Sequence, residues 1–188
     1  MNEIASTGQL RMSYLRWALL CVPAIVALGS LMGKLSNSGY GNRWFNALVP
    51  ADVSPPGWVF AVVWTALYIM LGLALAMVLN ARRARGRGAA IAAFVVQLIA
   101  NLAWSPLFFA LHQVSAALVL IICLWVAAVG TTILFGRVRA AAAWLMVPYL
   151  CWLSFAAILN FQIDQRNPDA ETLVPPAASA NISIGQGN

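Results

Sequence analysis

The residues of this chain best suited to chemistry are aromatic rings at helical spacing. Phe60, Trp64 and Tyr68 recur every four residues, so they share one face of a predicted helix. Such rings form a flat, mostly apolar wall suited to a planar ligand. The same spacing arises where rings pack between helices or anchor a protein at a membrane interface, and spacing alone favours that structural explanation.

A proline-rich loop leads into this helix through Ser54-Pro55-Pro56-Gly57. We expect Ser54 to cap the helix, because its hydroxyl can accept hydrogen bonds from the free N–H groups of the first turn. Pro55 and Pro56 suit a helix start, where a fixed φ helps and a missing N–H costs nothing. Loop and aromatic ladder together predict an apolar pocket beneath a rigid lid.

Groups for other kinds of chemistry are lacking. No Asp, Glu, Lys, Arg or His lies in the middle of an apolar run, although ion pumps and proton-coupled carriers need such groups near the membrane midplane. The sequence also lacks a Ser/His/Asp constellation, a phosphate loop and a metal-ligand cluster, so we expect neither a metal site nor an intrinsic cofactor. Cys21, Cys123 and Cys151 are widely spaced in apolar runs and are predicted to be small buried hydrophobes.

Composition identifies a membrane protein. Hydrophobic residues make up 62% of the chain and charged residues 9%, whereas a soluble domain carries about 25% charged residues. The formal charge of +6 comes from arginines clustered between apolar runs, which suits a lipid surface rather than nucleic acid. We therefore expect the lipid bilayer as a partner and no nucleic acid.

Five apolar runs are long enough to cross about 30 Å of hydrocarbon. We predict an all-α integral membrane protein, a five-transmembrane-helix bundle whose long first loop acts as a lid. Residues 1–13 are expected to be a flexible segment and residues 164–188 a disordered tail. Pro106 is expected to kink the third span, because its ring opposes the carbonyl of Leu102. The predicted spans are residues 14–35, 58–80, 89–111, 115–135 and 140–163.

The distribution of basic residues predicts the orientation. Eight of them lie before the first span and in the second and fourth loops, and the other side holds three. Because basic loops stay in the cytoplasm, we expect the amino terminus inside and the first loop and carboxyl tail outside. The eight are Arg11, Arg16, Arg82, Arg83, Arg85, Arg87, Arg137 and Arg139, and the three are Lys34, Arg43 and Arg166.

A few neutral amides accompany the rings. Gln97 and Asn101 are four residues apart, and Trp104 and Phe108 continue on their side of the third span. These amides and Asn160 can orient a ligand or bond one helix to another, and the second role is favoured for Gln97. Gly29 and Gly33 form a GxxxG pattern that permits close helix packing.

Three motifs stand in register with the five spans. They are Trp44…Leu48…Pro55-Pro56-Gly57-Trp58-Val59-Phe60…Trp64…Leu67-Tyr68, Gln97-Leu98-x-x-Asn101-x-x-Trp104-x-Pro106-x-Phe108-Phe109 and Pro148-Tyr149-x-x-Trp152-x-x-Phe155-Ala156-x-x-Leu159-Asn160. With the 8 tryptophans, they resemble the TspO/MBR family over residues 14–163. That family comprises the tryptophan-rich sensory proteins of bacteria and the mitochondrial translocator protein, or peripheral benzodiazepine receptor.

The resemblance implies a five-helix bundle, often a homodimer, that binds porphyrins, steroids and benzodiazepine-type drugs beneath the first loop. Trp64 and Trp152 match tryptophans that face the bound tetrapyrrole, and they would be catalytic only if the porphyrin is degraded in light and oxygen. Trp44, Pro55 and Pro56 match the lid. The ligand-binding residues implied are Trp44, Pro55, Pro56, Trp64, Tyr68, Asn101, Trp104, Phe108, Trp152 and Ala156.

We therefore expect a receptor- or transporter-like protein of a bacterial cell membrane with protoporphyrin IX as its ligand and a role in tetrapyrrole transport, sensing or light-dependent degradation. Asn101, or the loop residues Asn42 and Arg43, are hypothesised to meet the propionates. Phe161 stands where the animal cholesterol motif has a tyrosine, which weakens the expectation of sterol binding. The alternatives are a passive carrier of apolar solutes and a regulatory membrane protein that acts through a partner.

Overall fold

The computed structural model describes residues 7–174, with side chains from residue 12, and this part of the protein consists mainly of five long helices. Each of the five is long and apolar enough to cross a membrane, and residues 7–174 contain no β-strand. The predicted five-helix bundle is confirmed. The helices are α1 (Thr7–Leu35), the short α2 (Arg43–Ala47), α3 (Gly57–Asn80), α4 (Arg87–Ser105), α5 (Val114–Val138) and α6 (Ala140–Arg166).

Both ends of the bundle extend further than the sequence predicts. Helix α1 begins at Thr7, because the residues before the first span are mostly good helix formers without proline. Helix α6 runs to Arg166 and ends before Pro168, since a residue that precedes proline is disfavoured in α geometry. A 3₁₀ turn follows at Ala170–Thr172, so the prediction of disorder was wrong for residues 164–174. Residues 1–6 and 175–188 lie outside the described part.

The helices pack in the order α1, α3, α6, α5, α4. We call the end of the bundle that carries residues 36–56 the loop end. The opposite end, which carries the exposed Arg82, Arg83, Arg137 and Arg139, is the arginine end. Toward the arginine end α1 and α3 approach closely, because a Cβ at Gly72 would come within 2.7 Å of the Cα atom of Val22.

Two prolines set the local geometry at the loop end. Pro56 is the N-cap of α3, with an extended ψ of 147° and no side-chain cap, so the prediction that Ser54 caps this helix was wrong. Pro55 precedes another proline and is therefore kept out of α geometry, which prevents an earlier helix start. At Pro106 the α-helical pattern stops, and a π-helical turn over Pro106–Ala110 takes its place.

The three cysteines differ in their surroundings. Cys21 is buried, as predicted, but Cys123 and Cys151 are exposed on the outer surface of the bundle. The prediction failed for these two because lipid-facing positions of a membrane helix are as apolar as core positions, so hydropathy does not separate them.

Candidate ligand-binding site

A cavity of about 750 Å³ lies among α1, α3, α4, α5 and α6 at the loop end. It is lined along α3 from Gly57 to Tyr68, and at about 1.5 Å per residue this spans ~17 Å, half the hydrophobic thickness of a bilayer. The cavity therefore begins at the loop end and stops near the middle of the bundle.

The aromatic ladder lies on the cavity wall. Phe60, Trp64 and Tyr68 all line the cavity from α3, and the rings of Trp64 and Tyr68 are 5.3 Å apart. Trp152 faces them from α6, with its ring centroid 6.5 Å from that of Trp64 at an interplanar angle of 88°. Ala156, one turn further along α6, also lines the cavity and occupies little of it. Two perpendicular indoles thus meet beside free space.

The sequence-predicted site residues divide into two groups. Six of them line the cavity, namely Trp64, Tyr68, Asn101, Trp104, Trp152 and Ala156. The cavity wall does not include the other four, which are Trp44, Pro55, Pro56 and Phe108. The lining residues belong to helices that converge at one level of the bundle, whereas the others lie in the first loop or in the π-helical turn.

Trp44 holds the first loop against the helix ends behind the cavity. Its side chain is only 2% exposed, and its indole Nε1 donates to the carbonyl of Ala170 at 2.9 Å. Its ring stacks on His112, with centroids 4.2 Å apart, and meets the edge of Phe108 at 5.6 Å. Trp44 is therefore a structural anchor of the loop in this conformation.

The end of α6 ties down the rest of the loop. Asn167 donates to the carbonyl of Val49 at 3.0 Å and accepts from its N–H at 2.7 Å, as a neighbouring strand would. Arg166 pairs with Asp52 and also donates to the carbonyl of Pro50. We call this set of contacts, together with the bond from Trp44 to Ala170, the loop clasp. Nothing in the local sequence pattern indicates it.

Buried amides and phenols join three helices beside the cavity. Tyr68 Oη donates to Asn101 Oδ1 at 3.1 Å, and Asn101 Nδ2 donates to Tyr149 Oη at 3.0 Å. Tyr149 Oη donates in turn to Gln97 Oε1 at 2.9 Å. The structure thus gives Gln97 the favoured helix-to-helix role, while Asn101 serves the network and also lines the cavity.

Helix α1 contributes a wall that the sequence analysis missed. Gly29 and Gly33, the two residues of the GxxxG pattern, line the cavity. A Cβ at Gly29 would lie 2.1 Å from Cε2 of Tyr68, whereas one at Gly33 would meet no atom within 4 Å. Gly29 therefore leaves room for the Tyr68 ring, and Gly33 opens onto free space. Their four-residue spacing was the signal for a shared face.

The charged residue in the cavity wall is Lys34, which the sequence motifs did not indicate. Asn42 is 5% exposed, accepts from the N–H of Phe45 and donates to the carbonyl of Phe109, so it caps α2 and is not free to meet a ligand. Neither Asn42 nor Arg43 is among the residues that line the cavity. Lys34, in the last turn of α1, lines it and is the only lining residue with a full charge within the described part of the chain.

The chain contains few groups for metal binding. Within residues 7–174, no three His, Cys, Asp or Glu side chains cluster closely enough to hold a metal ion. The groups that can contact a ligand in this cavity are therefore aromatic faces, a few neutral polar groups and one ammonium.

Comparison with known proteins gives a consistent result. The family model of the TspO/MBR family matches residues 20–166. The tryptophan-rich protein TspO of Chlorobaculum tepidum is 41% identical over 150 residues, covering 79% of this chain and 94% of that protein. The translocator protein of Bos taurus is 34% identical over 143 residues, covering 75% and 85%. Protein CrtK of Rhodobacter capsulatus is 31% identical over 126 residues, covering 66% and 79%.

Proposed function

This chain belongs to the TspO/MBR family of membrane proteins, and on that premise we propose that its cavity binds a porphyrin such as protoporphyrin IX. The observation that supports the proposal best is the pair of perpendicular indoles, Trp64 and Trp152, beside free space. A planar ligand can stack on one indole while its rim meets the face of the other, and both arrangements are favourable.

The size of the cavity suits such a ligand. Small-molecule sites have volumes of about 300–1,000 Å³ and apolar walls with a few polar groups, and this cavity is near 750 Å³. Burial of apolar surface is worth about 25 cal/mol per Å², so the apolar contacts of the ligand with the two indoles supply most of the proposed affinity.

The close packing of the helices toward the arginine end favours a receptor over a carrier. Leu71, Ala74 and Val78 on α3 are fully buried below the cavity, as are Ala142 and Met146 on α6. A carrier needs a route past these side chains. Flux of porphyrin into sealed proteoliposomes, compared with empty liposomes, tests the carrier alternative, and we expect no difference.

The direct test is a titration of the purified protein with protoporphyrin IX, followed by tryptophan fluorescence. We expect saturable quenching, and a Trp64→Phe, Trp152→Phe double variant should bind about tenfold more weakly, or ~1.4 kcal/mol. A Trp58→Phe, Trp144→Phe double variant is the matched control, because those indoles are 68% and 73% exposed and lie outside the cavity wall. Linear quenching that is alike in all three proteins would contradict porphyrin binding.

We also propose an orientation in the membrane and an oligomeric state for this protein. We propose that the arginine end faces the cytoplasm, as the distribution of basic residues indicates, and that the protein forms a homodimer as the family resemblance implies. Single-cysteine variants at Ser38 and Arg85, treated in intact cells with an impermeant thiol reagent, test the first proposal: only Ser38→Cys should react. Cross-linking in liposomes at increasing dilution in lipid tests the second.

A further inference from the structure

We infer that Lys34 binds an anionic group of the ligand at the mouth of the cavity, which makes the preferred ligand an apolar, planar acid. This inference rests on the proposed function, because it requires an apolar ligand in the same cavity. It assigns to α1 a role in selecting among such ligands.

Lys34 lies where such a group would be. It is in the last turn of α1, its side chain is exposed, and it lines the cavity at the loop end. Asn37, Ser38 and Ser105 line the same end, and the hydroxyls of Ser38 and Ser105 are 2.6 Å apart. Hydrogen-bonding groups and one ammonium therefore surround the mouth.

The deeper wall has the opposite character. Trp64, Trp152, Leu153 and Ile121 line it, and none of them carries a charge. A molecule that fills the cavity therefore places its apolar body between the helices and leaves its polar end at the mouth. An acid gains a charge-assisted hydrogen bond there, whereas a neutral ester of the same shape does not.

The acids at the loop end do not neutralise Lys34. Asp52 pairs with Arg166 in the loop clasp, and Asp164 accepts from the hydroxyl of Ser115 at 2.6 Å. Asp169 and Glu171 follow α6, and none of these four acids is among the lining residues. With no carboxylate in the wall to neutralise it, the ammonium of Lys34 gives the mouth a positive potential.

The test compares protoporphyrin IX with its dimethyl ester, which has the same ring system and no carboxylate. Both are titrated in non-ionic detergent into the wild type, Lys34→Met and Lys34→Arg. Arg139→Met is the matched control, because it removes one exposed cation from the arginine end. The quantity compared is the ratio of the ester Kd to the acid Kd.

We expect the wild type and Arg139→Met to prefer the acid by about two- to fivefold, the range of an exposed ion pair. Lys34→Met should bring the ratio close to one by weakening acid binding alone, and Lys34→Arg should restore most of the preference. Raising the salt concentration should lower the ratio in the wild type and leave it unchanged in Lys34→Met.

Two outcomes overturn the inference and leave the proposed function standing. One is a ratio that Lys34→Met does not change while both ligands still bind saturably, as when Lys34 instead binds a lipid headgroup. The other is an equal loss of affinity for acid and ester, which means that Lys34 only shapes the site. If neither ligand binds the wild type saturably, the proposed function itself fails.

Discussion

The arginine end and the loop end of this bundle are stabilised by different interactions. Toward the arginine end, aliphatic and small residues fill the space between the helices, and the rings of Phe94 and Phe135 stack 5.6 Å apart at 12°. At the loop end the same helices diverge around a cavity of about 750 Å³. Hydrogen bonds of the loop clasp hold the loop there.

Along the same helices, the residues proposed to bind a ligand lie at one end and the residues that form the packed core lie toward the other. In α3, six residues between Gly57 and Tyr68 line the cavity, whereas Leu71, Ala74 and Val78 are buried in the core. A void costs dispersion contacts, so an end that keeps one depends on other interactions for its shape. Substitutions at the two ends should therefore act on different quantities.

The largest effect on stability is expected toward the arginine end. Phe94→Ala removes a 1%-exposed ring and should lower the free energy of unfolding by about 3–5 kcal/mol, because the fixed helices cannot close the void. Unfolding in mixed micelles with increasing SDS measures this quantity. Val96→Ala is the control, since that side chain is 61% exposed and should cost below ~1 kcal/mol. Equal effects of the two would show that this end is not the stable core.

Removing part of the loop clasp should act on the loop and spare the core. Deleting residues 167–188 removes both Asn167 bonds and the partner of Trp44, so opening of the loop should become easier by about 2–3 kcal/mol at ~1 kcal/mol per bond. Hydrogen exchange at the amide of Asn46 reports this opening, because its acceptor, the carbonyl of Asn42, lies in the same loop and is kept in the deletion. Deletion of residues 175–188 alone leaves these contacts in place and is the control. Unchanged exchange in the longer deletion would mean that the clasp does not hold the loop.

Filling the cavity should reduce ligand binding. Gly29→Ala places a Cβ against the Tyr68 ring, which must then move into the cavity, and the affinity for protoporphyrin IX should fall about tenfold. Gly33→Ala adds the same methyl group where no atom lies within 4 Å, so its affinity should change by below ~threefold. Titration by tryptophan fluorescence compares them. If both variants bind as the wild type does, the ligand lies elsewhere.

The smallest effect is expected in the polar network between the ends. Tyr149→Phe leaves Asn101 Nδ2 and Gln97 Oε1 without their partner and should cost about 0.6–1.7 kcal/mol of stability. Gln97→Leu should cost less, because Gln97 Nε2 is buried without a partner among the described residues, and the substitution removes that unmet donor. Unfolding in SDS compares the loss of stability in the two variants. A larger loss in Gln97→Leu than in Tyr149→Phe would mean that the network does not bond as described.

The sequence alone determined the five-helix architecture and the shared face of the aromatic ladder. Spans of apolar residues predict membrane helices because an unpaired backbone in hydrocarbon is costly, and this rule needs no tertiary information. The four-residue spacing of Phe60, Trp64 and Tyr68 likewise put three rings on one face of a helix, which the structure shows on the cavity wall. Both are local properties of the chain.

Tertiary structure decided which of the remaining residues reach the cavity. Trp44 and Ala170 are 126 positions apart, and their hydrogen bond turns Trp44 away from the cavity wall. Lys34 reaches the mouth because the end of α1 packs beside the open end of α3. Contacts between distant segments depend on how whole helices pack, and periodicity within one segment carries no information about its neighbours.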